Sequence, residues 1–235
     1  MGEHTVSSFD QDLEQIDTLI QDMGDLASSM VAASIRSLLA SDNSAATRVI
    51  SDDAVMDAKQ RELDGRAITL IAKRQPMAQD LRAVVGAIRM AGDLERIGDL
   101  AKNIAKRVGA VGQSAAPHTL AHSIDGMADM VLKQVRAVVG LYMKREADEL
   151  QALRAADERI DVKYTAVFRE LLTYMMEDPR NITACTHLLF CAKNLERIGD
   201  HVTNIAENAY YVMTGKQLPI NRPKLDETTL TVLAE

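Results

Sequence analysis

The sequence predicts an all-α protein built as two tandem, internally duplicated three-helix bundles, with six long helices in all. Three observations lead there. First, 47% of the 235 residues are apolar but only 3% are aromatic. The core is therefore aliphatic, whereas an all-β fold needs β-branched and aromatic strands joined by frequent tight turns. Second, Pro76, Pro117, Pro179, Pro219 and Pro223 are the only prolines, and the intervals between them are long enough for uninterrupted helices. Third, the second half of the chain repeats the first.

The first helix is expected over about 8–40, where Leu13, Ile16, Ile20, Met23 and Met30 recur near helical spacing. Ser41-Asp42-Asn43-Ser44 is a turn that also supplies an N-cap. The second helix runs on to about residue 73. Gln75-Pro76 ends it, because the residue before a proline is pushed out of the helical region. The third helix covers about 78–108. Gly109, Gly112 and residues 114–117 form the one clear linker. Three more helices follow at about 119–144, 147–177 and 180–214. Asp178-Pro179 separates the last two, and Gly215 caps the sixth. The organisation is a first bundle over 1–111, a linker over 112–118, a second bundle over 119–215 and a mostly extended tail over 216–235.

The repeat is read residue against residue. Asp93-Leu94-Glu95-Arg96-Ile97-Gly98-Asp99 returns as Asn194-Leu195-Glu196-Arg197-Ile198-Gly199-Asp200, 101 residues later, with Leu-Glu-Arg-Ile-Gly-Asp unchanged. Earlier in each half the spacing is 104, which sets Asp53 and Asp57 against Asp157 and Asp161, and Met23 and Asp25 against Met127 and Asp129. The difference lies where the Pro76 turn faces the shorter Pro179 turn.

Each half thus carries two acidic pairs at i, i+4: Asp53/Asp57 with Glu95/Asp99, and Asp157/Asp161 with Glu196/Asp200. Positions four apart share a helix face. In the third helix Met90, Leu94, Ile97, Ala101, Ile104 and Val108 form the apolar stripe, which sends Glu95 and Asp99 away from the bundle core, near Gly98, Lys102 and Asn103. The sixth helix repeats the pattern. The plainer reading is a solvated polar face. Against it, like charges at i, i+4 cost about 0.2–0.5 kcal/mol per pair, and the acidic stretch is the one the halves share most closely. The small neighbours Ala91, Gly98 and Gly199 also leave room for a ligand. Carboxylates from two adjacent helices offer all-oxygen ligation, suited to magnesium, calcium, manganese or iron. Asp53, Asp57, Glu95, Asp99, Asp157, Asp161, Glu196 and Asp200 are the candidate metal ligands.

Other features are assigned plainer roles. Arg96 and Arg197 pair with nearby acids, and the methionines fill the core. Cys185, His187 and Cys191 are read as buried thiols and a helix histidine rather than a soft-metal site. His201 has Leu100 as its counterpart, so the duplication gives it no support as a ligand. Neither a Glu-x-x-His di-iron signature nor a glycine-rich phosphate loop occurs. The net charge of −7 disfavours nucleic acid as a partner. No apolar run reaches the ~18 residues of a membrane span. The amino-terminal residues lack the basic-then-apolar pattern of a secretion signal, and two cysteines are too few for a disulfide framework, so a cytoplasmic location is expected.

The doubled Glu-Arg-Ile-Gly-Asp in three-helix halves resembles the PhoU family of phosphate-transport regulators. Ile71-Ala72-Lys73-Arg74-Gln75-Pro76, Asp80-Leu81-Arg82 and Leu172-Thr173-Tyr174-Met175-Met176-Glu177-Asp178 read the same way, and the likeness covers about 8–214. The resemblance implies a cytoplasmic, often homodimeric protein without established enzymatic activity. It implies as partners the ATPase of a phosphate ABC transporter and a sensor histidine kinase, with the phosphate-starvation response held off when phosphate is plentiful. It also implies metal, with iron or zinc as the family's cases, at Glu95/Asp99 and Glu196/Asp200 and their facing pairs. Asn194 opposite Asp93 is a departure, so the two sites need not have equal charge or affinity. The alternative is a metal-dependent phosphohydrolase using the same carboxylates, for which the sequence supplies no identifiable nucleophile or base.

Overall fold

The computed structural model describes residues 2–112 and 118–218, with side chains described over 9–112 and 124–218. Residues 113–117 and 219–235, which hold part of the expected linker and most of the expected tail, lie outside the described residues. The elements are α1 (Gly2–Ala40), α2 (Asn43–Arg74), α3 (Gln79–Ala105), α4 (Val108–Gly112), α5 (His118–Lys144), α6 (Ala147–Ala155), α7 (Glu158–Glu177), a 3₁₀ turn (Pro179–Asn181) and α8 (Ile182–Thr214).

The helix ends follow from local chemistry. Asp42 caps α2, its carboxylate accepting from the Ala45 N–H at 2.9 Å. Gln75 closes the same helix in the left-handed conformation, and Lys73 and Arg74 sit in its last turn, where the helix dipole favours positive charge. Gly215 ends α8 at φ 72°, a conformation glycine adopts without a Cβ penalty. Asp178 accepts from the Arg180 N–H at 2.9 Å and so starts the turn after α7.

Two expected boundaries differ. The third helix stops at Ala105, and the stretch expected to open a linker at Gly109 is instead the short helix α4, held by the buried Val108. The single helix expected over 147–177 is broken into α6 and α7 without proline or glycine. At the break the Ala156 N–H is shared between the Ala152 and Leu153 carbonyls. The Asp157 and Ile160 N–H groups then bond three residues back, to Arg154 and Asp157. This local 3₁₀ tightening interrupts the α-helix. The matching stretch of α2 in the first half is unbroken.

α3 packs against α1, α2 and α8, while α8 packs against α3, α5, α6 and α7, so these two helices are the centre of the molecule. One continuous apolar core runs through both halves. Close approach at the join depends on Gly86, where a Cβ would fall 2.2 Å from Val212 Cγ2. On the other side of the join, the buried Tyr142 of α5 donates its hydroxyl to Asp17 of α1, and Arg145 holds the second Asp17 oxygen at 2.6 Å.

Candidate functional site: two unequal acidic faces

In the first half, α2 presents Asp53 and Asp57 toward Glu95 and Asp99 on α3. Burial is the main cause that raises the Glu95 carboxyl above its ordinary pKa. Asp99 adds to it, Arg96 opposes it, and Asp57 and Asp53 contribute further repulsion. The two pairs therefore sense one another across the helix interface, as the periodicity predicts. Lys102 lies between them. Its ammonium donates to Asp53 Oδ2 and to Asp99 Oδ1, both at 2.6 Å. Burial by itself would lower the Lys102 pKa, but the hydrogen bonds and charges of these two acids outweigh it and hold the group above its ordinary value. Arg96 is within ion-pair distance of Glu95 at 3.5 Å and Asp99 at 3.4 Å, and Arg61 lies 3.9 Å from Asp57. The role expected of Arg96 is the one observed.

The second half is built differently. Asp157, Asp161 and Glu196 are only 2%, 3% and 4% exposed, and Asp200 is half-buried. The plainer reading of a solvated polar face does not describe three of the four, and Glu196, placed away from the bundle core by the periodicity, is buried. Asp157, at the break between α6 and α7, packs over Gly199: a Cβ at that glycine would lie 2.5 Å from Asp157 Oδ1 and 3.1 Å from Ile160 Cδ1. The space expected above the motif glycines is filled by the protein's own atoms. Above Gly98 it is Met56, whose Cγ would be 3.3 Å from an added Cβ.

Glu196 is raised above the ordinary carboxylate range chiefly by burial. Lys193, hydrogen-bonded to Oε1 at 2.9 Å, works against the rise, and Asp200 and Asp161 reinforce it. Its other oxygen, Oε2, is buried with no hydrogen-bond partner among the described residues, as is the Thr165 hydroxyl. Position 203, which corresponds to Lys102, is a buried threonine. Among the described residues, no group of three or more His, Cys, Asp or Glu side chains is arranged to hold a metal ion.

The Asp93/Asn194 difference also falls at the join between the halves. Asp93 faces the other half: His201 Nδ1 lies 2.9 Å from Asp93 Oδ1, and Asn204 Nδ2 donates to the same oxygen at 3.2 Å. His201 is thus part of the α3–α8 join. Its lack of a counterpart in the duplication is the signal that could have pointed there, because a join between unlike halves has no reason to repeat. His187 lies 3.1 Å from Arg107 Nη1, whose guanidinium stacks over Phe190 at 4.2 Å, and both cysteines are buried and free. Those three residues carry the plainer role expected of them.

The PhoU domain model matches residues 20–108 and again 124–209, one match in each half. The chain belongs to the PhoU family. A relative from Rhizobium meliloti (strain 1021), named a phosphate-specific transport system accessory protein PhoU homolog, is 54% identical over 226 residues, covering 96% of this chain and 95% of the relative. One of the same name from Caulobacter vibrioides (strain NA1000 / CB15N) is 45% identical over 96% of this chain and 98% of its own. The crystal structure of PhoU from Pseudomonas aeruginosa superposes with a TM-score of 0.82 at 32% identity, covering 88% of this chain and all of that one. The PhoU match in each half agrees with the duplicated helical architecture. No helix among the described residues is long and apolar enough to cross a membrane.

Proposed function

We propose that this chain is a non-enzymatic regulatory adaptor of phosphate uptake and phosphate-starvation signalling. It acts in the cytoplasm as a homodimer and holds the starvation response off when phosphate is plentiful. One observation carries the reading: relatives that align along nearly the whole chain are named accessory proteins of the phosphate-specific transport system. The partners are the ATPase of a phosphate ABC transporter and a sensor histidine kinase of the phosphate response. Long helices with exposed faces suit such docking, since they offer extended rigid surfaces.

The proposal includes cations at the acidic faces, with iron, zinc, manganese or magnesium as candidates. The donor set supports hard-cation binding. In the second half the buried Glu196 Oε2, without a hydrogen-bond partner among the described residues, fits a cation that would complete it. There Asp157, Asp161, Glu196 and Asp200 would hold the ion, which would neutralise clustered buried carboxylates. In the first half the corresponding set is Asp53, Asp57, Glu95 and Asp99.

The regulatory reading is tested in a strain lacking the gene. A phosphate-repressed phosphatase reporter should stay on at high phosphate and switch off when the chain is restored; repression unchanged by the deletion would refute it. The partners are tested by cross-linking in phosphate-replete cells and mass spectrometry of what co-purifies. The metal reading is tested by elemental analysis of protein never exposed to chelator, with Glu196→Gln/Asp200→Asn as the control expected to lose metal.

A further inference from the structure

We propose that the two turn ends of the molecule are complementary docking surfaces for a second copy of this chain: the α2–α3 end of one copy seats on the α7–α8 end of the other, and the reverse. The inference rests on the homodimer of the proposed function and assigns its interface.

The apolar part of these ends repeats. Ile68, near the end of α2, and Leu172, its counterpart 104 residues later on α7, are both exposed. Leu81 in the first turn of α3 and Ile182, its counterpart 101 residues later at the start of α8, are exposed as well. Met77 and Met176 add one long apolar side chain to each end, at 79% and 85% exposed. None of the six belongs to the apolar core. A single exposed apolar residue needs no explanation, but three at each of two equivalent ends make a patterned surface of the kind that marks an interaction site.

The charged part is inverted. Lys73 and Arg74 in the last turn of α2 stand where Glu177 and Asp178 stand in the second half. Arg74 lies 3.5 Å from Asp12, and Asp178 is held by Arg180 at 2.7 Å. That leaves Lys73 and Glu177, both exposed and without an ion-pair partner among the described residues. Arg82 is turned inward, donating to the Val212 carbonyl at 3.3 Å, and Asp80 complements the positive start of α3.

The two ends cannot meet within one chain. α3 and α8 run antiparallel, with Arg82 beside Val212 at one end of the pair and Arg107 beside His187 at the other. The 27 residues of α3 hold the ends about 40 Å apart. The surface that matches each end is therefore the unlike end of another copy, apolar against apolar and Lys73 toward Glu177. Like on like would set Lys73 against Lys73, so charge selects the unlike end. When each copy gives both of its ends, the contact is made twice about a two-fold axis and the assembly closes as a dimer.

The experiment is sedimentation equilibrium of the purified full-length chain over a concentration series. Wild type should be a dimer. Lys73→Glu and Glu177→Lys each set like charges at both contacts and should raise the dimer Kd about tenfold. The double variant Lys73→Glu/Glu177→Lys restores opposite charges and should return to within about threefold of wild type. Ile68→Ser/Leu81→Ser changes only exposed side chains, so it should keep the far-ultraviolet circular dichroism of wild type and be monomeric where wild type is dimeric. A monomeric wild type would refute the homodimer and this inference with it. A dimeric wild type whose Kd is unmoved by the charge and serine variants would overturn the interface alone. Weakening by both single charge variants without recovery in the double would overturn the end-to-end pairing, and species growing beyond two copies would overturn its closure. Loss of a co-purifying transporter ATPase or histidine kinase from Ile68→Ser/Leu81→Ser, with the dimer intact, would overturn it by assigning the ends to those partners.

Discussion

The packing of Asp157 over Gly199 makes a sharp prediction, because three glycines inside helices differ in what stands above them. Replacing glycine by alanine in a helix interior gains about 1 kcal/mol from propensity. At Gly65 an added methyl meets nothing within 4 Å, so Gly65→Ala should gain about that amount. At Gly98 the nearest atoms are Met56 Cγ at 3.3 Å and Cε at 3.5 Å. A thioether chain has three rotatable bonds with which to yield, so Gly98→Ala should end within about 1 kcal/mol of wild type. At Gly199 the methyl would sit 2.5 Å from Asp157 Oδ1 and 3.1 Å from Ile160 Cδ1. Overpacking of this kind costs about 1–3 kcal/mol, and a carboxylate only 2% exposed cannot swing into water without unpacking its surroundings. Gly199→Ala should therefore lose up to about 2 kcal/mol net. Urea denaturation followed by far-ultraviolet circular dichroism would rank the midpoints Gly65→Ala highest and Gly199→Ala lowest, with equal slopes. Adding Asp157→Ala to Gly199→Ala should recover part of the loss, as expected for a coupled pair. A Gly199→Ala midpoint at or above wild type would refute the placement of Asp157 over the motif glycine.

Three further predictions follow the same logic. Gly86→Ala should destabilise the chain by about 1–3 kcal/mol through the clash with Val212, and Val212→Ala in that background should relieve it; denaturation midpoints that are simply additive would sink the claim. Tyr142→Phe should cost about 1–2 kcal/mol by removing the hydrogen bond to Asp17 between the halves, read from the same urea transitions. The third concerns pH. Burial pushes the Cys191 thiol from 9.0 up to about 12, so above about pH 9 the unfolded chain releases this proton while the folded chain keeps it. Stability should then fall with rising pH by up to about 1.4 kcal/mol per unit for this group. Cys191→Ala should flatten the melting-temperature profile between pH 9 and 11, and native protein at pH 8 should resist iodoacetamide; rapid alkylation of Cys191 would contradict its burial.

Much of the fold was legible because helices advertise themselves locally. Asp42, Gln75-Pro76, Asp178-Pro179 and Gly215 all act where their own chemistry predicts. The apolar stripe of α3 is buried along its length, from Met90 to Ile104. The break at Ala156–Asp157 was not legible, since Arg154-Ala155-Ala156-Asp157 contains no residue that breaks a helix. The candidate site was legible in part. Spacing placed the acids on facing helices and noted Lys102 beside them, but spacing cannot say which side chain reaches across to Asp53. The contact of Asp93 with His201 was not legible for the same reason: the two lie 108 residues apart.

The sequence by itself determined the helices, their duplication and the pairing of acids, because these depend on periodicity and on caps within a few residues of each other. Only the tertiary structure decided how the two copies differ. α3 and α8 meet in one shared core, where Asp93 faces His201 across the join. Asp157, Asp161 and Glu196 are buried, while Lys102 bridges two acids of the first face. Burial and the reach of a long side chain depend on neighbours far away in the chain, and a repeat that looks symmetric in one dimension has no obligation to be so in three.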